Sequence, residues 1–131
     1  MKTERRQIGD WGESLARKHL EAKGYIYHAS NYINPRGMAL GEIDIILYDA
    51  TKECYVFVEV KTKTIEHLVG DSVPFPFEQI THHKLKRLTK IATYYLQNQG
   101  QAAAQYRFDG VFIVHVTTTN QAYIKHVPHL F

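Results

Sequence analysis

The segment from Gly41 to Lys61, GEIDIILYDATKECYVFVEVK, constrains the fold more than any other part of the sequence. Its two ends, 41–48 and 54–61, are rich in β-branched and aromatic residues, and the stretch between them, 49–53, is polar. This pattern is typical of two strands joined by a turn. We therefore predict an antiparallel β-hairpin over this segment.

The predicted hairpin brings four charged side chains together. Because side chains alternate between the two faces of a strand, Glu42 and Asp44 share a face of the first strand. Glu59 and Lys61 share a face of the second strand for the same reason. A turn centred in the polar stretch places Asp44 opposite Glu59, about 5 Å apart at Cβ. The same register places Glu42 opposite Lys61, although one β-bulge would shift it.

Two opposed carboxylates indicate a metal site. Asp44 and Glu59 would repel each other, and a hard divalent cation such as Mg²⁺, which prefers oxygen ligands, is the usual reason for gathering them. With Lys61 they form the D…ExK pattern of metal-dependent nucleases. The pattern also fits an exposed charged strand, but the apolar neighbours of Glu59 favour a buried one, where acids rarely lie without a function. A third interpretation is that ion pairs such as Glu42–Lys61 only stabilise the core.

Length and composition are those of one globular domain, 1–131. No apolar run approaches the roughly 20 residues of a membrane span, and the N-terminal segment lacks the apolar region of a signal peptide. Cys54 is the only cysteine, which excludes an internal disulfide and favours a reducing cytoplasm. The net charge of +3 permits nucleic-acid binding without requiring it.

The first predicted helix, 3–23, has Thr3 as its N-cap and Gly24 after its end. Gly9 and Gly12 lie inside it, where each costs about 1 kcal/mol relative to alanine, so we expect a neighbouring backbone to approach closely. Glu13 follows them, either as a solvated helix acid or as a site residue. The predicted buried stripe consists of Ile8, Trp11, Leu15, Ala16 and Leu20.

The second predicted helix, 81–99, begins at Thr81 and ends before Gly100. Its predicted buried stripe consists of Leu85, Leu88, Ala92, Tyr95 and Leu96. The sequence has no acid between Gln79 and Gln105. The positive charge of this helix is therefore not balanced by acids nearby in the sequence. Its cations form either a solvated basic face or a face that contacts phosphates: Lys84, Lys86, Arg87 and Lys90.

Three further strands are predicted at 25–32, 106–117 and 122–127, the second of them central and the last at an edge. Glycine and proline predict loops at 34–37 and 62–77. Asp109, at the entry of the fourth strand, is interpreted as structural. The order α-β-β-β-α-β-β permits a parallel crossover through the second helix. The predicted fold class is therefore α/β, with a mixed β-sheet flanked by helices.

Several motifs along the chain together resemble a known family. They are Gly9-x-x-Gly12-Glu13-x-x-Ala16, Gly24-Tyr25, Gly41-Glu42-Ile43-Asp44, Phe57-Val58-Glu59-Val60-Lys61, Arg107-Phe108-Asp109 and His126. The combination covers nearly the whole chain and resembles the YraN-like family of uncharacterised bacterial proteins. That family is assigned to the restriction-endonuclease-like PD-(D/E)xK superfamily, in its resolvase-like branch. Ile43 stands where the superfamily motif has proline.

The resemblance implies a restriction-endonuclease-like αβββαβ core, one nuclease-like domain and a site for Mg²⁺ or Mn²⁺. By analogy Asp44 and Glu59 bind the metal, and the Val60 carbonyl joins them. Lys61 is then the catalytic lysine, and Glu13 matches the extra acid of the resolvase-like branch. Resolvase-like relatives act as dimers, so a homodimer is implied as well.

The expected function is hydrolysis of DNA phosphodiester bonds by a metal-dependent endonuclease, with branched or junction DNA as a candidate substrate. Glu13 and Glu42 would be supporting ligands or bases. The alternative is a non-catalytic nucleic-acid-binding or adaptor protein on a nuclease fold, because a fold does not establish an activity. The cations expected to contact phosphates are Lys63, Lys84, Lys86 and Arg87.

Overall fold

A computed structural model describes residues 2–34, 41–78 and 81–131. In chain order the elements of this part are α1 (Glu4–Ala22), β1 (Ile26–Ile33), β2 (Glu42–Asp49), β3 (Cys54–Ile65), α2 (His82–Asn98), β4 (Tyr106–Val116) and β5 (Gln121–Val127). This order confirms the predicted succession of helices and strands. Apart from Asn34, the loop predicted at 34–37 lies outside the described residues.

The strands form one mixed sheet in the order β1-β2-β3-β4-β5. Neighbouring strands are antiparallel except β3 and β4, which are parallel. Because parallel neighbours need a crossover, α2 lies between these two strands in the chain. The predicted α/β class is confirmed, and the five-stranded mixed sheet with two helices is consistent with a restriction-endonuclease-like fold.

The hairpin register follows the prediction over most of its length. β2 and β3 pair from Asp49–Cys54 at the turn to Ile45–Val58, as expected for a turn centred in the polar stretch. β3 continues to Ile65, so the loop prediction for 62–77 was wrong at its beginning. The extension occurs because β4 provides parallel partners as far as Val116.

Both helix boundaries agree with the predicted capping. The Thr3 hydroxyl accepts a hydrogen bond from the Arg6 N–H at 3.1 Å, and the Thr81 hydroxyl accepts one from the Lys84 N–H at the same distance. Just beyond the helix ends, Gly24 and Gly100 have positive φ angles of 99° and 69°. Neither described helix is long and apolar enough to cross a membrane.

The sheet buries a hydrophobic cluster on each face. One cluster packs against Ala16 and Leu20 of α1, and the other packs against the buried stripe of α2. The sheet residues on the α1 side are Ile45, Leu47, Cys54, Val56, Val58, Val111 and Ile113. Those on the α2 side are Ile43, Ile46, Tyr55, Phe57 and Phe108.

Two predictions about α1 were wrong, and one is confirmed in part. Trp11 is 40% exposed rather than buried, and its ring lies against His115, with 5.0 Å between the centroids. A Cβ added at Gly12 would collide with Thr62, so β3 does approach the helix there, through a side chain rather than the expected backbone. At Gly9 a Cβ would meet nothing within 4 Å in the described part of the chain, so no close neighbour there accounts for that glycine.

Candidate metal centre

A cleft of about 700 Å³ opens between α1, the start of α2 and the ends of β2 and β3 farthest from the hairpin turn. Two of the predicted phosphate-binding residues, Lys84 and Arg87, line the cleft. The other two, Lys63 and Lys86, are exposed and lie outside the lining. Every residue predicted as catalytic or metal-binding also lines it: Glu13, Glu42, Asp44, Glu59, Val60 and Lys61.

Three carboxylates converge on one wall of the cleft. Glu13, Glu42 and Asp44 each offer an oxygen atom, and these oxygens all lie within 4.8 Å of one another. Asn31 Nδ2 donates a hydrogen bond to Glu13 Oε2 at 3.0 Å. The Val60 N–H donates to Asp44 Oδ2 at 2.8 Å. Two of the three carboxylates are therefore oriented by hydrogen bonds, and the group can hold a metal ion.

The electrostatics of this cluster favour a cation. Burial, and then the neighbouring charges of Asp44 and Glu42, raise the pKa of Glu13 to about 7. Burial raises the pKa of Asp44 to about 6; the Val60 hydrogen bond opposes this shift, and the charge of Glu59 adds to it. Both carboxylates are thus destabilised in their charged form. A divalent cation between them would relieve that repulsion.

A change in the side-chain alternation of β2 explains why Asp44 faces α1. Regular alternation from Ile45 and Leu47 would place Ile43 on the α1 side of the sheet, but Ile43 packs in the α2 cluster. The alternation therefore changes between Ile43 and Ile45, which turns Asp44 towards Glu13. The β2–β3 pairing also ends at this point.

The predicted direct opposition of Asp44 and Glu59 was wrong for the same reason. Glu59 stays on the α2 side of the sheet, where Lys84 Nζ donates to its Oε1 at 2.6 Å. The β2–β3 pairing ends at Ile45. The Asp44 carboxylate accepts a hydrogen bond from the main-chain N–H of Val60 in β3. Glu59 Oε2 is buried and has no hydrogen-bond partner among the described residues.

The lysines of the cleft are held by a carboxylate that the sequence analysis missed. Glu78, in the segment before α2, lies 3.3 Å from Lys61 and 2.6 Å from Lys84. Lys61 also lies 3.8 Å from Glu59, so the predicted pair Glu42–Lys61 is replaced by pairs with these two acids. No local pattern marks Glu78, because only the path of the segment from β3 to α2 brings it here.

The predicted basic face of α2 divides into two parts. Lys84 is paired with two carboxylates inside the cleft, and its contact with phosphate stays a prediction. Arg87 lines the cleft, and its Nε atom is buried without a hydrogen-bond partner among the described residues. Lys86 and Lys90 are exposed. Arg87 is therefore a cleft cation on α2 that has a donor without a partner in the described part of the chain.

Asp109 has the structural environment that the sequence predicted for it. It is fully buried, and it accepts hydrogen bonds from Arg107 Nε at 3.0 Å and from the His129 N–H at 3.1 Å. His126 Nε2 lies 2.8 Å from its other oxygen. Burial alone would raise the pKa of Asp109, but His126 and Arg107 outweigh it and lower the pKa. These contacts connect β4 with β5 and with the segment after it.

The fold and the cleft define an α/β protein with a five-stranded mixed sheet, consistent with a restriction-endonuclease-like fold, and with an acidic cluster that can hold a metal ion. The chain belongs to Uncharacterised protein family UPF0102, whose sequence model matches residues 12–113. This match confirms the family resemblance. The matched range includes every predicted metal ligand.

Individual relatives support the same assignment. A UPF0102 protein of Desulfosudis oleivorans is 39% identical over 86% of this chain and 83% of its own length. One of Alkaliphilus metalliredigens is 36% identical over 79% of this chain and 82% of its own. One of Pelotomaculum thermopropionicum is 30% identical over 95% of this chain and 92% of its own. The similarity therefore extends over most of each protein.

Proposed function

We propose that this protein is an endonuclease that hydrolyses DNA phosphodiester bonds with Mg²⁺ or Mn²⁺. The observation that carries the proposal is the convergence of Glu13, Glu42 and Asp44 beside two lysines in one cleft. Oxygen-only donors suit hard divalent cations rather than softer metals. Lys61 and Lys84 supply positive charge where a phosphate would lie.

Two features of this site fit a metal ion. The pKa values of Glu13 and Asp44 are raised by burial and by neighbouring carboxylates, a cost that a cation would offset. The buried Oε2 atom of Glu59 has no hydrogen-bond partner among the described residues, so one more oxygen ligand stands unused at the cleft. Glu59 would join the site if its contact with Lys84 gave way. A ligand role for the Val60 carbonyl remains part of the proposal.

The protein's own residues would prepare the site for phosphoryl chemistry. A bound divalent cation would polarise the scissile phosphate and lower the pKa of the attacking water. Asn31 and the Val60 N–H orient two of the ligands before substrate arrives. Lys61 would stabilise the negative charge that develops on the phosphate, and exchange of Glu78 for substrate phosphate would release it for that role.

The charge of the cleft makes DNA binding dependent on metal. Among the described lining residues, five carboxylates face four cations, so a polyanion meets no net attraction until a divalent cation binds. The carboxylates are Glu4, Glu13, Glu42, Asp44 and Glu59, and the cations are Arg5, Lys61, Lys84 and Arg87. Tight binding of DNA should therefore require a divalent cation and fall on its removal.

The proposal is tested by incubating the protein with supercoiled, linear and four-way-junction DNA in Mg²⁺, Mn²⁺ or chelator. We expect cleavage in at least one metal and none in chelator, and the panel identifies the preferred structure. DNA that is bound with metal but never cut would favour the adaptor alternative. Analytical ultracentrifugation of the same samples tests the homodimer.

The geometry also makes a prediction about the ligands. Glu42→Gln should weaken Mn²⁺ binding at least about tenfold, because it removes one member of the converging group. Glu59→Gln should weaken it less, since Lys84 holds that carboxylate away from the group. Isothermal titration calorimetry measures both, and Glu21→Gln, an exposed change on α1, is the matched control. An equal or greater loss in Glu59→Gln would place the metal between Asp44 and Glu59 instead.

A further inference from the structure

Gly9 is a glycine that packing among the described residues does not require. It lies in the N-terminal half of α1 with helical backbone geometry, where glycine is unfavourable relative to alanine. A Cβ added there would meet no atom of another described element within 4 Å. Gly12, one turn further on, differs sharply, because β3 occupies the space where its Cβ would lie.

The open space beside Gly9 belongs to the cleft. Arg5, Gly9 and Glu13 line it together and follow one another at intervals of four residues, so they share a face of α1. Arg5 and Glu13 are separated by about 12 Å along the helix axis, with Gly9 midway. A cation thus stands at one end of this face and a carboxylate of the acidic cluster at the other.

We propose that the α1 face formed by Arg5, Gly9 and Glu13 is a seat for the sugar-phosphate backbone of the substrate strand. The missing side chain at position 9 lets the strand lie directly against the helix. Arg5 binds a phosphate next to the one held near the acidic cluster. This inference rests on the proposed function, because it assigns a path to the same substrate.

The chemistry of the face supports a polyanionic strand rather than an apolar occupant. Its two side chains are charged, and Lys61 of β3 lines the same cleft. Arg87 of α2 lines the same cleft, so the cleft holds a further cation that could meet phosphate. Glycine is the residue that permits close approach of a ligand to a backbone.

The test compares Gly9→Ala and Gly9→Leu with Ser14→Leu, an exposed change on α1 away from the cleft. Fluorescence anisotropy measures the Kd of labelled duplex and four-way-junction DNA in Ca²⁺, which takes the same kind of oxygen ligands. We expect Gly9→Leu to raise the Kd about tenfold or more, and Ser14→Leu to leave it unchanged. Binding of Mn²⁺ by calorimetry should stay within about twofold in all three.

The melting temperature separates this role from a structural one. Gly9→Ala should raise the Tm by about 3–5 °C, because a helical glycine is replaced without a clash, while DNA affinity falls. Gly12→Ala should lower the Tm, since its new methyl group meets Thr62. A lower Tm in Gly9→Ala, or a wild-type Kd in Gly9→Leu, would contradict strand binding at this face and leave the proposed function unaffected. If the wild-type protein bound neither the duplex nor the junction, both the strand-binding face and the proposed function would be wrong.

Discussion

Replacing Lys61 with alanine is expected to remove most of the cleavage while leaving metal and DNA binding nearly intact. Lys61 lies at the cleft with an ammonium group 3.3 Å from Glu78, and an ammonium is not a metal ligand. Its proposed role begins when charge develops on the phosphate under attack. Losing one such group typically lowers the rate by about 10²–10³. Single-turnover cleavage of a labelled junction measures the effect.

Matched measurements decide whether the loss is catalytic. Lys52→Ala removes an exposed lysine at the hairpin turn and should cut at the wild-type rate. The Kd of Lys61→Ala for DNA should rise by no more than the loss of one phosphate contact. Equal residual cutting by wild type and Lys61→Ala would point to a contaminating nuclease and support the adaptor alternative.

Replacing Asp44 with asparagine should abolish Mn²⁺ binding and stabilise the metal-free protein. The raised pKa of about 6, against an ordinary 3.8, means that the charge on Asp44 costs about 3 kcal/mol above neutral pH. Asparagine removes the charge and keeps an oxygen that can accept from the Val60 N–H. Part of the gain is offset because its amide N–H groups need partners. We expect a Tm increase of about 5 °C at pH 8.

The pH dependence has a defined sign. Asp44 and Glu13 bind protons more tightly in the folded than in the unfolded protein, since both pKa values are raised. Their favourable contribution is complete below about pH 4 and is lost as the pH rises through about 6 for Asp44 and about 7 for Glu13. The Tm difference between Asp44→Asn and wild type should therefore shrink towards zero near pH 4.

Differential scanning calorimetry in chelator, from pH 4 to pH 8, checks this prediction. Asp71→Asn, at an exposed loop position, is the control and should leave the Tm unchanged at every pH. A lower Tm for Asp44→Asn at pH 8 would show that the ionised carboxylate stabilises the fold. The interpretation of these acids as structural ion pairs would then be favoured.

Mn²⁺ should stabilise only the wild-type protein. It should raise the Tm of wild type, because a ligand that binds only the folded state stabilises it. Asp44→Asn should gain nothing from the same addition. The metal effect and the charge effect can thus be measured in one set of melting curves.

Local sequence patterns were sufficient for most of the fold. The capping residues Thr3 and Thr81 mark helix starts, because a side chain three residues away satisfies the first free N–H groups. The hairpin register from Asp49 to Ile45 follows from a polar turn and alternating apolar residues, which are all close in sequence. The exposure of Trp11 was not predicted, because helical periodicity shows which residues share a face of the helix. It does not show how far the sheet extends beneath that face.

Most residues of the site could also be predicted from the sequence, because acids and a lysine are unusual in buried apolar strands. The sequence by itself determined the elements, their order, the hairpin and the set of charged residues near its open end. Only the tertiary structure decided how those charges are grouped. The change of side-chain alternation in β2 turns Asp44 to Glu13, while Lys84, from beyond β3, pairs with both Glu59 and Glu78. These contacts depend on packing between distant segments, which local periodicity does not record.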